Sequence, residues 1–274
     1  MIELPEANVL ARQITELLAG REVVAATANS SPHKFAWYHG DPAEYHQRLA
    51  GKSVGAAHAH GGLVEVELGK TRLLLGEGVS LRYIAPGNKR PAKHQLLVEF
   101  DDGSALSATA QMYGGLWCFL EGEFDNPYYQ IAKAKPSPLL EEFNQTYFQS
   151  LLDEATWRKS AKAFLATEQR IPGLGNGVLQ DILFNARIHP RRRMESLSDG
   201  ELTALFSSVK DTLRQMTDLG GRDTEKDLRG NQGGYPTRIS RNTLRYPCPV
   251  CGSPLKKEAY LGGSIYFCTG CQAL

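Results

Sequence analysis

Four cysteines near the end of the chain have the residue type and spacing of a metal site. Cys248 and Cys251 form one Cys-x2-Cys pair, and Cys268 and Cys271 form a second. Two such pairs joined by a hairpin supply four thiolates to one tetrahedral zinc ion, whereas two disulfides would be unusual in a cytosolic chain. The spacing predicts one structural Zn²⁺, because four cysteine ligands leave no position for a catalytic water.

The first six residues, MIELPE, place two carboxylates, Glu3 and Glu6, close to the terminal amine. The pKa of an α-amino group lies near 8, so part of it is unprotonated at neutral pH and can act as a nucleophile. The same residues suit an ordinary amphipathic helix, since Pro5 fits its first turn, acids favour its positive end and Gly20 would close it. From these residues alone, both interpretations stay open.

Basic residues are concentrated around the cysteine pairs. Residues 1–130 carry a net charge of −4 and residues 131–274 carry +5, although the whole chain has only +1. This distribution is the pattern expected for contact with phosphates, and a solvated basic face is the alternative. The basic side chains nearest the cysteines are Arg238, Arg241, Arg245, Lys256 and Lys257.

The elements that must position these residues fall into two groups. After a leading helix, segments such as LVEVELG and HQLLVEF alternate or run apolar and are separated by turns, which predicts a β-sandwich or barrel up to about residue 130. One short helix, DPAEYHQRLAG, is predicted among the strands. AKAKPSPLL is predicted to be a linker.

The next ninety residues favour helices. The signal covers LLEEFNQTYFQSLLDEA, WRKSAKAFLAT and NGVLQDILFNARI, and it continues in a long helix that begins with a capping box at Ser198 and Glu201. The glycine-rich segment that follows, at residues 222–237, is charged and weakly periodic, so we predict a mobile loop. No apolar run approaches the length of a membrane span, and the N-terminus lacks the pattern of a signal peptide, which predicts a cytosolic protein.

Three segments occur together in a characteristic order: the MIELPE terminus, GLGNGVLQDILFNARIHP in the helical part, and the cysteine hairpin ending in FCTGCQ. This order resembles the formamidopyrimidine-DNA glycosylase and endonuclease VIII family of base-excision-repair enzymes, over essentially the whole chain. The resemblance implies an α+β fold made of an N-terminal β-sandwich with a leading helix, a helix-two-turn-helix domain and a zinc finger. The implied domains are residues 1–130, residues 131–237, which include a lesion-type loop at residues 222–237, and residues 238–274.

The resemblance also implies a chemistry. In this family, DNA binds between the lobes and the damaged nucleotide is flipped out of the helix. A free terminal amine, usually that of proline, attacks C1′ of this nucleotide, the base leaves, and elimination from the Schiff base nicks the strand. The implied activity is that of a DNA glycosylase and AP lyase on damaged double-stranded DNA, with the protein a monomer located at the nucleoid in the cytoplasm.

Individual roles follow from the resemblance residue by residue. The nucleophile is the amine of Met1 or, if Met1 is removed, that of Ile2. Glu3 handles protons at the sugar, and Glu6 is the second glutamate that helps to hold the site. Asn176 matches the residue whose amide meets a phosphate, with an asparagine that only shapes a turn as the alternative.

The chain departs from the family at the nucleophile. Ile2 stands where the family has proline. Aminopeptidases that remove the first methionine need a small second residue, so we expect Met1 to be retained. A retained Met1 moves the amine by up to about 3.5 Å. An error of even about 1 Å in placement can reduce a rate about a hundredfold.

The expected DNA contacts depart from the family as well. His60 lies near the position of the phosphate-binding lysine and is only partly cationic at pH 7, with an ordinary loop histidine as the alternative. The void-filling positions fall near Glu77, which would repel phosphate, and near Tyr113, which can stack on a base or pack in the core. Residues 262–264, Gly-Gly-Ser, replace the phosphate-gripping arginine of the zinc finger.

Three hypotheses therefore remain at this point. The first is a divergent DNA glycosylase with AP lyase activity. The second is a protein that recognises damaged or structured DNA on the same scaffold without cutting it. The third is a zinc-ribbon protein that binds RNA or another protein. Borohydride trapping on abasic DNA separates the first two, and salt-dependent DNA affinity separates both from the third.

Overall fold

The leading helix is the element that joins the two halves of the molecule. In the computed structural model, which describes residues 1–76 and 78–274, helix α1 runs over Leu4–Leu18 and begins at Glu3 with Pro5 in its first turn. Its apolar stripe, which includes Leu10, Ile14 and Leu18, packs into the core of the β-domain. The helix predicted from the sequence is therefore present, at the predicted position.

Behind α1, nine strands form a sandwich of two sheets. One sheet has the order β1-β7-β8-β6, and the other has the order β2-β9-β5-β4-β3. The neighbouring strands are antiparallel, except for the short parallel pair β2 and β9. The strands are β1 (Val23–Ala28), β2 (Ala36–Trp37), β3 (Ala57–His60), β4 (Leu63–Leu68), β5 (Thr71–Leu75), β6 (Val79–Ile84), β7 (Leu96–Phe100), β8 (Ala105–Ala110) and β9 (Gly114–Leu120). The predicted β-sandwich is confirmed.

A second, helical half follows with its own core. Helix α2 (Tyr45–Leu49) lies among the strands, as predicted. The helices that follow the sandwich are α3 (Pro127–Ala134), α4 (Gln145–Ser150), α5 (Glu154–Trp157), α6 (Ala161–Ala166), α7 (Asn176–Asn185) and α8 (Asp199–Asp218). Helix α8 starts at the predicted capping box, in which Ser198 Oγ accepts from the Glu201 N–H and the Glu201 carboxylate accepts from the Ser198 N–H. None of the described helices combines the length and the apolar character needed to cross a bilayer.

The helical signal at LLEEFNQTYFQSLLDEA resolves into two short helices, α4 and α5. The reason is local capping: the side chain of Asn144 accepts a hydrogen bond from the N–H of Tyr147, and that of Asp153 accepts one from Thr156. Each of these contacts begins a new helix, because a side-chain acceptor satisfies the free N–H groups of a first turn. The predicted helical character is correct, but its continuity is not.

Residues 222–237 form a loop, as predicted. This lesion-type loop is nevertheless anchored to the rest of the molecule, since Arg222, Leu228 and Tyr235 are buried. After it, the chain forms a two-stranded hairpin, β10 (Leu255–Tyr260) and β11 (Gly263–Cys268), which packs against α7.

The two halves meet across a close backbone contact. Gly61 follows β3 and Gly173 precedes α7, and both have positive φ angles. A Cβ on Gly173 would lie 2.3 Å from the backbone of Gly61, so only glycine permits this approach. On the same side, the Leu4 N–H donates to the carbonyl of Gly173 at 2.9 Å. The start of α1 is therefore fixed to the loop that leads into α7.

Candidate active site and nucleic-acid interface

The terminal amine lies beside a cavity and is paired with a carboxylate. The Met1 ammonium forms an ion pair with Glu225 of the lesion-type loop, a partner that the sequence analysis did not identify. The cavity has a volume of about 430 Å³ and lies between the terminus, the start of β6, the β8–β9 connection and this loop. Its lining includes Met1, Ile2, Glu6, Arg82, Gln111, Met112, Thr224, Glu225 and Lys226.

Glu3 is buried at the start of α7. One carboxylate oxygen accepts from the Gly177 N–H at 2.8 Å, and the other accepts from the Val178 N–H at 2.7 Å. These are free N–H groups at the positive end of a helix, which favour a negative charge. Glu3 therefore begins one helix with its backbone and caps another with its side chain.

Arg222 joins the two predicted glutamates. Its guanidinium donates to Glu6 at 2.8 and 2.9 Å and lies 3.5 Å from Glu3, while a further N–H reaches the Met1 carbonyl at 3.3 Å. Only 3% of Arg222 is exposed. Glu6 also accepts from the N–H of Glu3 at 3.2 Å. A single arginine thus holds both carboxylates and the first peptide of the chain.

The environments of the two glutamates shift their pKa values in opposite directions. Burial raises the pKa of Glu3 above its ordinary value, and the nearby charge of Glu6 adds to this, although Arg222 opposes it. Burial also acts to raise the pKa of Glu6, but the charge and hydrogen bonds of Arg222 outweigh it and hold that pKa below its ordinary value. Two carboxylates separated in this way are suited to different tasks, one to proton transfer and one to a fixed ion pair.

Glycines in the GLGNG segment make this packing possible. A Cβ on Gly177 would lie 1.7 Å from an Arg222 guanidinium nitrogen, and one on Gly175 would lie 2.5 Å from a Glu3 oxygen. The segment therefore allows both charged side chains to approach the first turn of α7.

Asn176, the predicted phosphate contact, is the first residue of α7. Its amide nitrogen donates to the Ser264 carbonyl in the hairpin turn at 2.9 Å, and its amide oxygen is buried without a partner among the described residues. Gln180 donates to the same carbonyl at 3.2 Å. Because an amide nitrogen has two N–H groups, Asn176 can bind Ser264 and a phosphate together. The structure brings Asn176, Glu3 and the hairpin into one region.

His60 and Tyr113 lie on the side of the sandwich that faces the helical half. His60 Nε2 lies 3.1 Å from the buried Glu65 carboxylate, which also accepts from the Tyr129 hydroxyl at 2.5 Å. Burial acts to raise the pKa of Glu65, but these hydrogen bonds lower it to about 2. The Tyr113 hydroxyl lies 3.7 Å from the sulfur of Met1, and Glu77 falls outside the described residues.

The predicted arginines lie on the segment before the hairpin. The N–H groups of Arg238 and Ile239 donate to the buried Asp181 carboxylate of α7, at 2.9 and 2.8 Å. The side chains of Arg238, Arg241 and Arg245 are exposed. The backbone of this segment is therefore fixed to α7, while its guanidinium groups face outward.

The four predicted cysteines form a single cluster. All four sulfurs lie within 4.8 Å of one another, with Cys248 and Cys271 at 3.8 Å and Cys251 and Cys268 at 3.4 Å. These separations are too long for disulfides. The N–H groups of Val250, Gly270 and Cys271 point at cysteine sulfurs, which is the knuckle geometry that stabilises thiolates. The cluster can hold a metal ion.

Three charged residues at this interface were not predicted from the sequence. Arg222 and Glu225 lie more than 200 residues from their partners, and the only local signal was their position in a charged, glycine-rich loop. Lys162 is buried, and its ammonium donates to the Tyr260 carbonyl at the hairpin turn at 2.5 Å. It therefore places a cation near Asn176, in the region where the hairpin turn has no arginine.

Family models match most of the chain. The model described as the formamidopyrimidine-DNA glycosylase N-terminal domain matches residues 1–117, and the model for the H2TH domain of the same enzyme matches residues 135–227. A formamidopyrimidine-DNA glycosylase of Symbiobacterium thermophilum is 30% identical over 99% of this chain and 89% of that protein. One from Vibrio cholerae is 30% identical over 99% of this chain and all of that protein.

Solved structures of similar fold also match nearly the whole chain. The Lactococcus lactis Fpg protein in complex with DNA containing an abasic site superimposes with a TM-score of 0.83 at 22% identity, over 99% of this chain and 100% of that chain. The MutM (Fpg) protein of Thermus thermophilus gives a TM-score of 0.81 at 22% identity, over 98% of each chain.

Proposed function

Because the chain belongs to the formamidopyrimidine-DNA glycosylase family, we propose that it is a base-excision-repair DNA glycosylase and AP lyase that reacts through its terminal amine. The observation that carries this proposal is the position of that amine. It lies at the edge of a cavity large enough for a displaced nucleobase and is paired with Glu225, while the buried Arg222 joins the Met1 carbonyl to Glu3 and Glu6. The substrate is damaged DNA, and the protein acts as a monomer in the cytoplasm.

The reaction begins with loss of a proton from the amine. In the resting protein, the ammonium is bound to Glu225, so its nitrogen has no lone pair available. When a flipped nucleotide enters the cavity, Glu225 accepts the proton. The free amine then forms a bond to C1′ while the bond from C1′ to the base breaks. The base leaves with a proton, and the nitrogen loses one, which leaves C1′ bonded to both the nitrogen and the ring oxygen. The bond from C1′ to the ring oxygen then breaks, this oxygen gains a proton, and the nitrogen lone pair forms the C=N bond of the Schiff base from which the strand is cleaved.

Glu3 and Glu6 divide the remaining tasks. Glu3 has a raised pKa and so is able to gain and lose a proton at the sugar, where a pKa nearer to neutrality is more effective. Glu6 stays ionised in its pair with Arg222 and fixes the position of the first peptide. Arg222 orients the site and does not react.

DNA binding is assigned to the face formed by α7 and the hairpin. Asn176 and Lys162 lie at the hairpin turn, and Arg238, Arg241 and Arg245 extend the cationic surface. One structural Zn²⁺, bound by Cys248, Cys251, Cys268 and Cys271, would hold the hairpin in shape, because a four-thiolate site has no open position for catalysis.

Borohydride trapping tests the proposal directly. Purified protein whose N-terminus has been defined by mass spectrometry is incubated with abasic DNA and borohydride, and the covalent adduct is quantified. We expect an adduct that maps to the terminal residue. Acetylation of the amine should abolish it, and Glu3→Gln should strongly reduce strand cleavage while DNA binding changes little.

A protein that binds damaged DNA but forms no adduct at any pH from 6 to 9 would contradict the proposed chemistry. It would leave the non-cleaving DNA-binding hypothesis in its place. Trapping only after removal of Met1 would assign the nucleophile to Ile2.

A further inference from the structure

A second cavity lies directly beside the one at the terminal amine. The short connection between β8 and β9, residues 111–113, separates the two. Gln111 and Met112 line the cavity at the amine, whereas Tyr113 lines the second cavity, which has a volume of about 520 Å³. The Tyr113 hydroxyl lies 3.7 Å from the sulfur of Met1. One side chain therefore spans from the reacting residue to the second cavity.

The walls of the second cavity are aromatic. Trp37 and Tyr113 face each other with ring centroids 5.8 Å apart and planes tilted by 33°. Trp117 and Tyr128 also line the cavity. Trp37 is 48% exposed and Tyr128 is 62% exposed, although large aromatic side chains are usually buried. These rings are therefore available to a flat ligand that can stack on them.

The floor of the cavity depends on glycines. The indole of Trp117 lies over Gly115, where an added Cβ would be 2.0 Å from the ring, and against Gly76, where it would be 3.0 Å away. Any other residue at position 115 would force Trp117 out of this position. The GGLW segment of β9 thus provides the space in which a broad aromatic surface lies flat.

The rim of the cavity is polar and carries cations nearby. His60, Asn126 and Gln169 line its edge. Lys135 donates to the Gln169 carbonyl at 2.9 Å, and the Lys133 ammonium lies 5.0 Å from the ring centroid of Tyr129. Aromatic surfaces with cations at their edge are the arrangement that binds nucleobases and the phosphates that connect them.

We propose that the second cavity binds an unpaired nucleobase next to the attacked nucleotide, stacked on Trp37 and Tyr128. The protein then favours lesions in DNA whose surrounding bases are unpaired, such as a bubble or a single strand, over lesions in a fully paired duplex. The inference rests on the proposed function, because it places the DNA at the terminal amine. Continuity with the amine cavity through Tyr113 and the cations at the rim favour a nucleic acid over an apolar peptide.

Fluorescence anisotropy with three matched DNAs tests this assignment. Each DNA carries the same central tetrahydrofuran abasic analogue, which prevents base excision, and the set comprises a full duplex, a five-base bubble and a single strand. We expect wild-type protein to bind the bubble and the single strand more tightly than the duplex. Trp37→Ala and Tyr128→Ala should each weaken binding to the two unpaired DNAs by about 5- to 150-fold, as expected for one base stack.

Phe35→Ala is the matched control, because Phe35 is an exposed aromatic residue close to Trp37 that does not line the cavity. It should leave all three affinities within about twofold of wild type. Trp37→Phe, which keeps a stacking surface, should recover most of the lost affinity. Since both target side chains are about half exposed or more, their removal is compatible with folding, and near-UV circular dichroism checks this.

Equal losses on all three DNAs, or no loss on the bubble, would overturn the assignment. The assay requires no reaction at the amine, so it fails independently of the proposed function. If borohydride trapping succeeds and Trp37→Ala has no effect, only the second cavity has been misassigned. If trapping fails while Trp37→Ala selectively weakens binding to the bubble, the amine chemistry is wrong and the base-binding cavity stands.

Discussion

The amine site and the zinc hairpin hold their charges in opposite ways. At the amine site, Arg222 lies between Glu3 and Glu6, and the Met1 ammonium is bound to Glu225, so each charge already has a partner. Around the hairpin, Arg241, Lys256 and Lys257 point into solvent. The charges of the first region are paired within the protein, whereas those of the second are left for a polyanion to neutralise. In the proposed function, positioning of the nucleophile and attraction of DNA therefore rely on separate sets of charges.

The largest effect is expected when the buried network of Arg222, Glu3 and Glu6 is broken. Arg222→Met leaves Glu3 and Glu6 in a buried site without their cation, so we expect a loss of about 3–5 kcal/mol in the free energy of unfolding. Arg193→Met removes an exposed ion pair with Glu195 and should change stability by less than about 1 kcal/mol. Urea unfolding of both variants measures the difference. Similar values for the two would show that the charges of the amine site are not buried and paired as described.

A smaller expected effect is a difference between Glu3 and Glu6 in how their contributions to folding stability depend on pH. The pKa of Glu6 is lowered in the folded protein, so its contribution to stability is present above its unfolded value, near 4.5, and is lost as the pH falls through the folded value. We expect Glu6→Gln to cost about 1.5–3 kcal/mol at pH 7 and to converge with wild type in acid. The pKa of Glu3 is raised, so its sign is the opposite, and its ionised form becomes less favourable to folding as the pH rises above 4.5. Unfolding curves of Glu6→Gln and Glu3→Gln at several pH values would refute this if the two variants responded alike.

Disruption of the thiolate cluster should affect DNA binding more than folding. Cys268→Ser removes one of the four ligands, and the hairpin that carries Lys256 and Lys257 should lose its shape. We expect the slope of log affinity against log salt to fall by about two, one for each lost phosphate contact. The unfolding transition of the β-domain should stay unchanged. Retention of the full slope, with zinc absent by metal analysis, would show that the hairpin does not bind DNA.

The smallest effect concerns a single exposed arginine. Arg241→Ala should lower the salt slope by about one and weaken binding to all sequences equally, because a phosphate contact carries no base information. Glu258→Gln, on β10, is the control, because it removes a negative charge instead of a positive one. It should not lower the slope. Sequence-dependent losses for Arg241→Ala would indicate a contact with a base.

Contacts between residues close together in the sequence could be predicted, whereas contacts between residues far apart could not. The four cysteines lie within one hairpin, and the capping box of α8 spans four residues, so their spacing alone predicted their contacts. The resemblance to a known family identified Glu3, Glu6 and Asn176, and the structure brings these three together. Arg222 and Glu225 were missed because a partner more than 200 residues away leaves no local pattern. The partners of His60 were missed because the sequence does not fix which side chains cross from β4 and α3.

Because helix α1 joins the two halves of the molecule, its first turn can reach its final position only late in translation. Leu4 belongs to the core of the helical half, whereas Ile2 and Ala7 belong to that of the β-domain, so the first turn cannot reach its final position until α7 and Arg222 have been synthesised. At about 5–20 residues per second, roughly 10–40 s separate the emergence of α1 from that of residue 222. During this interval, the start of the chain is open to enzymes on the ribosome. Whether Met1 is retained is therefore decided by the bulk of Ile2 during translation, before the fold can protect either residue.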